Sequence, residues 1–171
     1  MTAGRSILML GGARSGKSRL AQERAESIGG ELIYLATAEA LDEEMAERIG
    51  RHRADRDDRW RTVECPLALA ETVAREQGDG RVLLIDCLTL WLSNLIHAER
   101  DIMTAAESLA ETLSATRGTI ILVANEVGLG LVPDTPLGRR FRDEAGRLNQ
   151  SIAAAASEVL FVAAGLAFQL K

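Results

Sequence analysis

Ser6-Ile7-Leu8-Met9-Leu10-Gly11-Gly12-Ala13-Arg14-Ser15-Gly16-Lys17-Ser18 is the stretch that decides the fold. Its first residues are a short apolar run stopped by two glycines, the pattern of a buried strand. Gly11 to Ser18 then fit G-x-x-x-x-G-K-[ST], and a helix is expected from Lys17 to about Ile28, ended by Gly29-Gly30. Glycines let backbone N–H groups come close to phosphate oxygens, and the helix start adds unsatisfied N–H groups and partial positive charge. Lys17 can reach the β- and γ-phosphates of a nucleotide, and the Ser18 hydroxyl can hold Mg²⁺. Nucleotide binding follows from this loop. The identity of the nucleotide and the use made of it do not.

Outward from the loop, apolar runs alternate with helical periodicity. Leu32–Ala36 reads as a second strand, and Leu41 to about Asp55 as a helix with Leu41, Met45, Ile49 and His52 on one face. Val82–Asp86 is expected as a third buried strand, followed by helical stretches near 88–98 and 103–116. Thr119–Ala124 reads as a fourth strand, Asn125–Pro133 as a glycine-rich loop, and about 137–156 as a helix. Val159–Val162 and 166–170, joined at Ala164-Gly165, are expected to close the chain as an antiparallel edge hairpin. The pattern predicts an α/β fold, a mostly parallel sheet flanked by helices on both faces. No repeat or linker breaks it, so residues 1–171 read as a single domain.

Composition narrows the function. Apolar residues make up 47% and charged residues 26%, with a mean hydropathy of +0.01, which is neither disordered nor membrane-like. No apolar run is long enough for a membrane span. Two cysteines, Cys65 and Cys87, make neither a disulfide framework nor a metal cluster, which fits a reducing cytoplasm. A net charge of -5 and only 4% aromatic residues argue against nucleic acid as a partner. Of the basic residues only Lys17 and the terminal Lys171 are lysine, so one internal position departs from the arginine habit.

Two further positions carry candidate chemistry. Asp86 ends an apolar strand, where an acid can complete a magnesium shell, the favoured reading; it could also cap the helix starting near Leu88, and the two roles are compatible. Between Arg48 and Arg61, six arginines are interleaved with three aspartates. Such a run can be a solvated helix face laced with ion pairs. It also surrounds His52, and neighbouring positive charge favours the neutral, nucleophilic imidazole. From spacing alone, His52 reads either as a nucleophile or as an ordinary boundary residue. His97 reads as packing or as helix C-terminal charge.

Several segments recur together in one known family. They are the loop 11–19, Ile33-Tyr34-Leu35-Ala36-Thr37-Ala38, Asp42–Met45, Arg48-Ile49 with His52-Arg53, and Trp60–Glu64. Asn125–Pro133, Phe141–Asp143 and Gly146–Gln150 follow in the same order. The chain resembles, essentially end to end, the bifunctional adenosylcobinamide kinase / adenosylcobinamide-phosphate guanylyltransferase family. The resemblance implies a P-loop NTPase (RecA-like) fold, a homotrimer, and ATP, GTP and Mg²⁺ as cofactors. It implies that adenosylcobinamide is phosphorylated and that GTP then guanylylates a histidine, which passes GMP to the corrinoid phosphate. That histidine falls on His52, with Lys17 as the catalytic lysine. Nucleotide contacts fall on Gly11, Gly12, Ala13, Arg14, Ser15, Gly16, Lys17 and Ser18, and on Ala36, Thr37 and Ala38. Others fall on Arg53, Ala54, Asp55, Arg56, Glu64 and Asp86, with Ser18 and Asp86 toward the metal. Arg51 stands where several members carry a first histidine, and Asp57 where proline is frequent. From the motifs alone, a simple small-molecule kinase ranks first and a nucleotide-dependent switch also fits; the resemblance reverses that order and places the bifunctional transferase ahead of both.

Overall fold

Apolar runs of strand length pair side by side because each must satisfy its backbone while burying both faces. The computed structural model describes residues 4–39, 43–54 and 56–171, with the side chains of Glu44, Arg48, Arg51, His52 and Arg53 outside the description. In chain order its first half runs β1 (Arg5–Gly11), α1 (Lys17–Ile28), β2 (Glu31–Ala36), α2 (Glu43–Ala54), β3 (Trp60–Glu64) and α3 (Leu69–Glu76). The second half runs β4 (Arg81–Asp86), α4 (Leu88–His97), α5 (Ile102–Ser114), β5 (Thr119–Asn125), α6 (Pro136–Ala155), β6 (Glu158–Ala163) and β7 (Leu166–Gln169). The strands form one seven-stranded sheet in the order β3-β2-β4-β5-β1-β6-β7. Every neighbouring pair is parallel except β6 with β7.

The sheet separates two apolar layers. On one face Leu8, Ile33, Leu35, Leu83, Ile85, Ile120 and Leu122 pack with Leu69, Leu88, Trp91, Leu92, Leu109, Leu148 and Ile152 of α3 to α6. On the other, Ile7, Met9, Tyr34, Leu84, Ile121 and Val123 meet α1 through Ala21 and Ala25. The two alanines are 0% exposed, so small side chains let α1 lie close on the sheet. Lys17, one turn before Ala21, is buried on the same inward face of α1. That placement withdraws the Lys17 side chain from solvent.

The expected α/β layering and the antiparallel closing hairpin are present. Two elements lie outside the sequence expectation: β3 and α3. β3 is an edge strand whose Arg61 and Glu64 are exposed, so its apolar signal is weak. α3 spans only two turns. The strand expected as third is therefore β4. Cys65 and Cys87 are both free and buried, and burial pushes each thiol up to about 11. No helix among the described residues is long and apolar enough to cross a membrane.

Candidate active site

Parallel strands put all their C-terminal ends on one edge, where loops and helix N-termini converge. Register aligns Glu64 of β3 with Ala36 of β2, Ala36 with Asp86 of β4, and Asp86 with Val123 of β5. Gly11 of β1 pairs with Asn125 on the same edge. Alternation along each strand assigns the face. Tyr34, Leu84 and Val123 belong to the layer under α1, so Ala36 and Asp86, two residues beyond Tyr34 and Leu84, turn the same way. Glu64, Ala36, Asp86 and the buried Lys17 thus lie on the α1 side of one edge. The crossing from β5 past β1 to β6 makes this edge a topological switch point.

The glycine-rich loop is built by close approach. A side chain at Gly11 would meet the Val162 carbonyl oxygen at 2.4 Å, and Gly16 has φ +96° as the residue before α1. Ser15 N–H donates to the Gly12 oxygen at 3.3 Å, and Gly165 N–H donates to the Ser15 oxygen at 2.7 Å. The β6–β7 turn therefore braces the loop from outside. Lys17 Nζ donates to the Gly12 oxygen at 2.8 Å, holding the ammonium within the turn. Ser15 Oγ is buried with no hydrogen-bond partner among the described residues. A buried hydroxyl left unpaired among the described residues, in the same turn as an ammonium and a helix N-terminus, matches an anion-binding turn. Ser18 is half-buried on the first turn of α1, while Ala13 and Arg14 are exposed.

Buried and half-buried polar side chains fix the strand exits around Asp86. Thr37 is 0% exposed; its hydroxyl donates to the Cys87 oxygen at 2.8 Å and accepts from the Cys87 N–H at 2.9 Å. Asn94 donates to the Thr37 oxygen at 2.7 Å and to the Pro66 oxygen at 3.0 Å, joining the loops after β2 and β3. Thr89 Oγ1 accepts from the Asn125 N–H at 2.8 Å, and Asn149 donates to the Asn125 oxygen at 3.2 Å. Sequence reasoning singled out neither Asn94 nor Thr89 for a role. The available signal was their polarity inside the apolar segment Leu88–His97.

The arginine-rich segment divides among different structures. Arg59 pairs with Asp57 at 2.6 Å and Glu26 at 3.4 Å, and Arg61 pairs with Glu76 at 2.7 Å and Glu31 at 3.2 Å. These two hold edge strand β3 to its surroundings. Arg56 lies over the Tyr34 ring, Cζ 3.5 Å from its centroid, and Trp60 meets that ring edge-on at 6.5 Å. Burial, reinforced by the Asp86 charge, pushes the Tyr34 phenol above its ordinary range, so it stays neutral. Helix α2 runs through positions 52 and 53 and ends at Ala54, which is exposed. The side chains of His52 and Arg53, and the whole of Asp55, lie outside the described residues. His97 is exposed in the last turn of α4, its Nδ1 2.7 Å from the Ser93 oxygen, which is the helix-terminal placement rather than packing.

A phosphate-binding turn alone is shared by many enzymes, so similarity over the whole chain carries more weight. The family model described as cobinamide kinase / cobinamide phosphate guanyltransferase matches residues 7–170. The chain belongs to this family. It is similar to the bifunctional adenosylcobalamin biosynthesis protein CobP of Pseudomonas aeruginosa, 52% identical over 166 residues and covering 96% of each chain. It is also similar to the Escherichia coli bifunctional adenosylcobalamin biosynthesis protein CobU, at 39% identity over 96% of this chain and 99% of that one. Among solved structures, a Pyrococcus horikoshii protein overlays 100% of this chain and 88% of its own, with TM-score 0.61 and 8% identity. The type III secretion ATPase EscN of enteropathogenic E. coli overlays 94% of this chain and 43% of its own, with TM-score 0.58 and 14% identity. These structural likenesses concern the fold alone, which is that of P-loop NTPases. The protein is a transferase of a bifunctional kinase and guanyltransferase family of cobalamin biosynthesis.

Proposed function

We propose that the protein performs both reactions within the single domain 1–171, phosphorylating adenosylcobinamide and then guanylylating the product. In the first, the corrinoid's aminopropanol hydroxyl oxygen attacks the γ-phosphorus of ATP or GTP. The bond to the bridging oxygen breaks, nucleoside diphosphate leaves and the hydroxyl proton is released. In the second, His52 attacks the α-phosphorus of GTP and pyrophosphate departs. An oxygen of the corrinoid phosphate then displaces His52, giving adenosylcobinamide-GDP and a free histidine. What supports this reading most is the buried Lys17 in its glycine turn, within a chain matched to the family over residues 7–170.

The residues divide the work by chemistry. Backbone N–H groups of Gly11, Gly12, Ala13, Arg14, Ser15 and Gly16 would cradle phosphate oxygens, with Lys17 neutralising charge on the group being transferred. Ser18, on the first turn of α1, and Asp86, at the end of β4, carry hard oxygen donors that would suit Mg²⁺. Such an ion, when bound, lowers the charge on the phosphate oxygens. Ala36, Ala38 and Glu64 would flank the nucleoside, while Thr37, fully buried and bonded to the Cys87 backbone, would position the strand ends behind it rather than touch it. Arg53, Ala54, Asp55 and Arg56 would face the phosphates near His52. Because phosphoryl transfer depends mainly on positioning and electrostatics, one loop can serve both steps. The reading carries with it a homotrimer in the cytoplasm.

The test uses GTP labelled at the α-phosphate, without corrinoid. Wild type is expected to retain acid-labile, base-stable label, and His52→Ala and Lys17→Ala to retain none. Unlabelled wild type under turnover conditions, or full labelling of His52→Ala, removes the histidine intermediate. A kinase without that intermediate would phosphorylate the corrinoid yet never take label.

A further inference from the structure

We propose that residues 126–135, between β5 and α6, form the seat of the corrinoid acceptor, with Leu129, Leu131 and Val132 against the apolar edge of its macrocycle. This rests on the acceptor proposed above and adds where it binds. Leu129 is 82% exposed, Leu131 96% and Val132 64%. A single exposed aliphatic residue is ordinary, but three within four positions concentrate apolar surface on one loop, as a binding loop does.

The loop's placement selects that ligand. Its root is tied to the phosphate loop, for Glu126 N–H donates to the Gly11 oxygen at 3.0 Å. Glu126 Oε1 accepts from the Gly128 N–H at 2.6 Å, shaping the first turn. At the far end Arg139 Nη1 donates to the Pro133 oxygen at 2.9 Å and the Asp134 oxygen at 3.0 Å. Both ends are therefore held, and the aliphatic apex is presented from a fixed base. Between the two leucines, no described residue lies within 4 Å of where a Gly130 side chain would stand, so a broad ligand can approach the backbone there. A corrinoid is a wide macrocycle with methyl-bearing edges and a hydroxyl at the end of one side arm. Its hydroxyl must meet the γ-phosphate held at Lys17 and Ser18, while its ring is too large to enter that turn. An apolar seat rooted on the same strand edge provides both.

The experiment compares Leu129→Ser/Leu131→Ser with wild type and with Leu129→Met/Leu131→Met. Cobinamide binding is followed by equilibrium dialysis using corrinoid absorbance, and kinase kinetics by varying cobinamide and ATP separately. The serine variant is expected to weaken cobinamide binding and raise its KM by about tenfold or more, with the KM for ATP unchanged. The methionine variant should stay within about twofold of wild type, because it keeps apolar area. A serine variant within about twofold of wild type for cobinamide overturns the proposal. So does an equal rise in both KM values, or a changed sedimentation mass, which would mark the loop as a contact between copies of the chain. Wild type that neither binds nor phosphorylates cobinamide would instead overturn the function on which the proposal rests.

Discussion

Lys17 shows how one residue can be read at two levels. In sequence it stands out as the internal lysine in an arginine-rich chain, and a flexible point charge is what a phosphate turn requires. Tertiary structure adds its burial on the inner face of α1 and its bond to Gly12. Thr37 is the opposite case: its hydroxyl serves the backbone of Cys87 rather than solvent, which no local pattern reveals. Thr37→Val is expected to leave both Cys87 backbone groups without this partner and to cost about 1–3 kcal/mol in urea unfolding. Thr37→Ser should restore most of that loss by keeping the hydroxyl. Equal stability of the valine variant and wild type would contradict the positioning role.

At the scale of elements, edge strand β3 is secured by charge as well as by apolar contact. Arg61 bridges Glu31 and Glu76, and Arg81 also reaches Glu31 at 2.8 Å. The hydrogen bond from Arg61 holds the Glu76 carboxyl below its ordinary range. A carboxyl depressed in the folded state contributes stability above its unfolded pKa and loses it as pH falls through the folded value. Glu76→Gln is therefore expected to cost about 1 kcal/mol at neutral pH, since its arginine partner is solvent-screened. The difference in thermal midpoint from wild type should close as pH falls below the usual carboxylate range. A gap independent of pH would assign the effect to packing instead. Sequence reading passed over β3 because this stabilisation comes from Glu31, Glu76 and neighbouring β2, remote along the chain, not from an apolar run.

At the scale of the molecule, the sheet ends in a strand with an unusual surface. Leu166 and Phe168 of β7, and Leu170 just beyond it, are 64%, 53% and 63% exposed at alternating positions, and Phe168 pairs with Phe161. An exposed edge strand of this kind favours burial against another chain. The proposed homotrimer predicts a sedimenting species of three chains of 18.5 kDa each. A species of one or two chains at micromolar concentration would count against it.

By itself the sequence determined the parallel α/β architecture, the phosphate turn from Gly11 to Ser18 and the acid at the end of β4, and the end-to-end motifs pointed to the family. Those features are local: runs of apolar residues, glycines at a turn, and a lysine at a helix start. Tertiary structure alone decided that Glu64, Ala36 and Asp86 share a row beneath α1, and that the loop bearing Leu129 and Leu131 is rooted on Gly11. It also divided the arginine segment, sending Arg59 and Arg61 to scaffold carboxylates and Arg56 to Tyr34. The physical reason is that strand order, register and many partners of long charged side chains depend on pairings between residues remote along the chain. Local periodicity carries no information about which remote groups will meet.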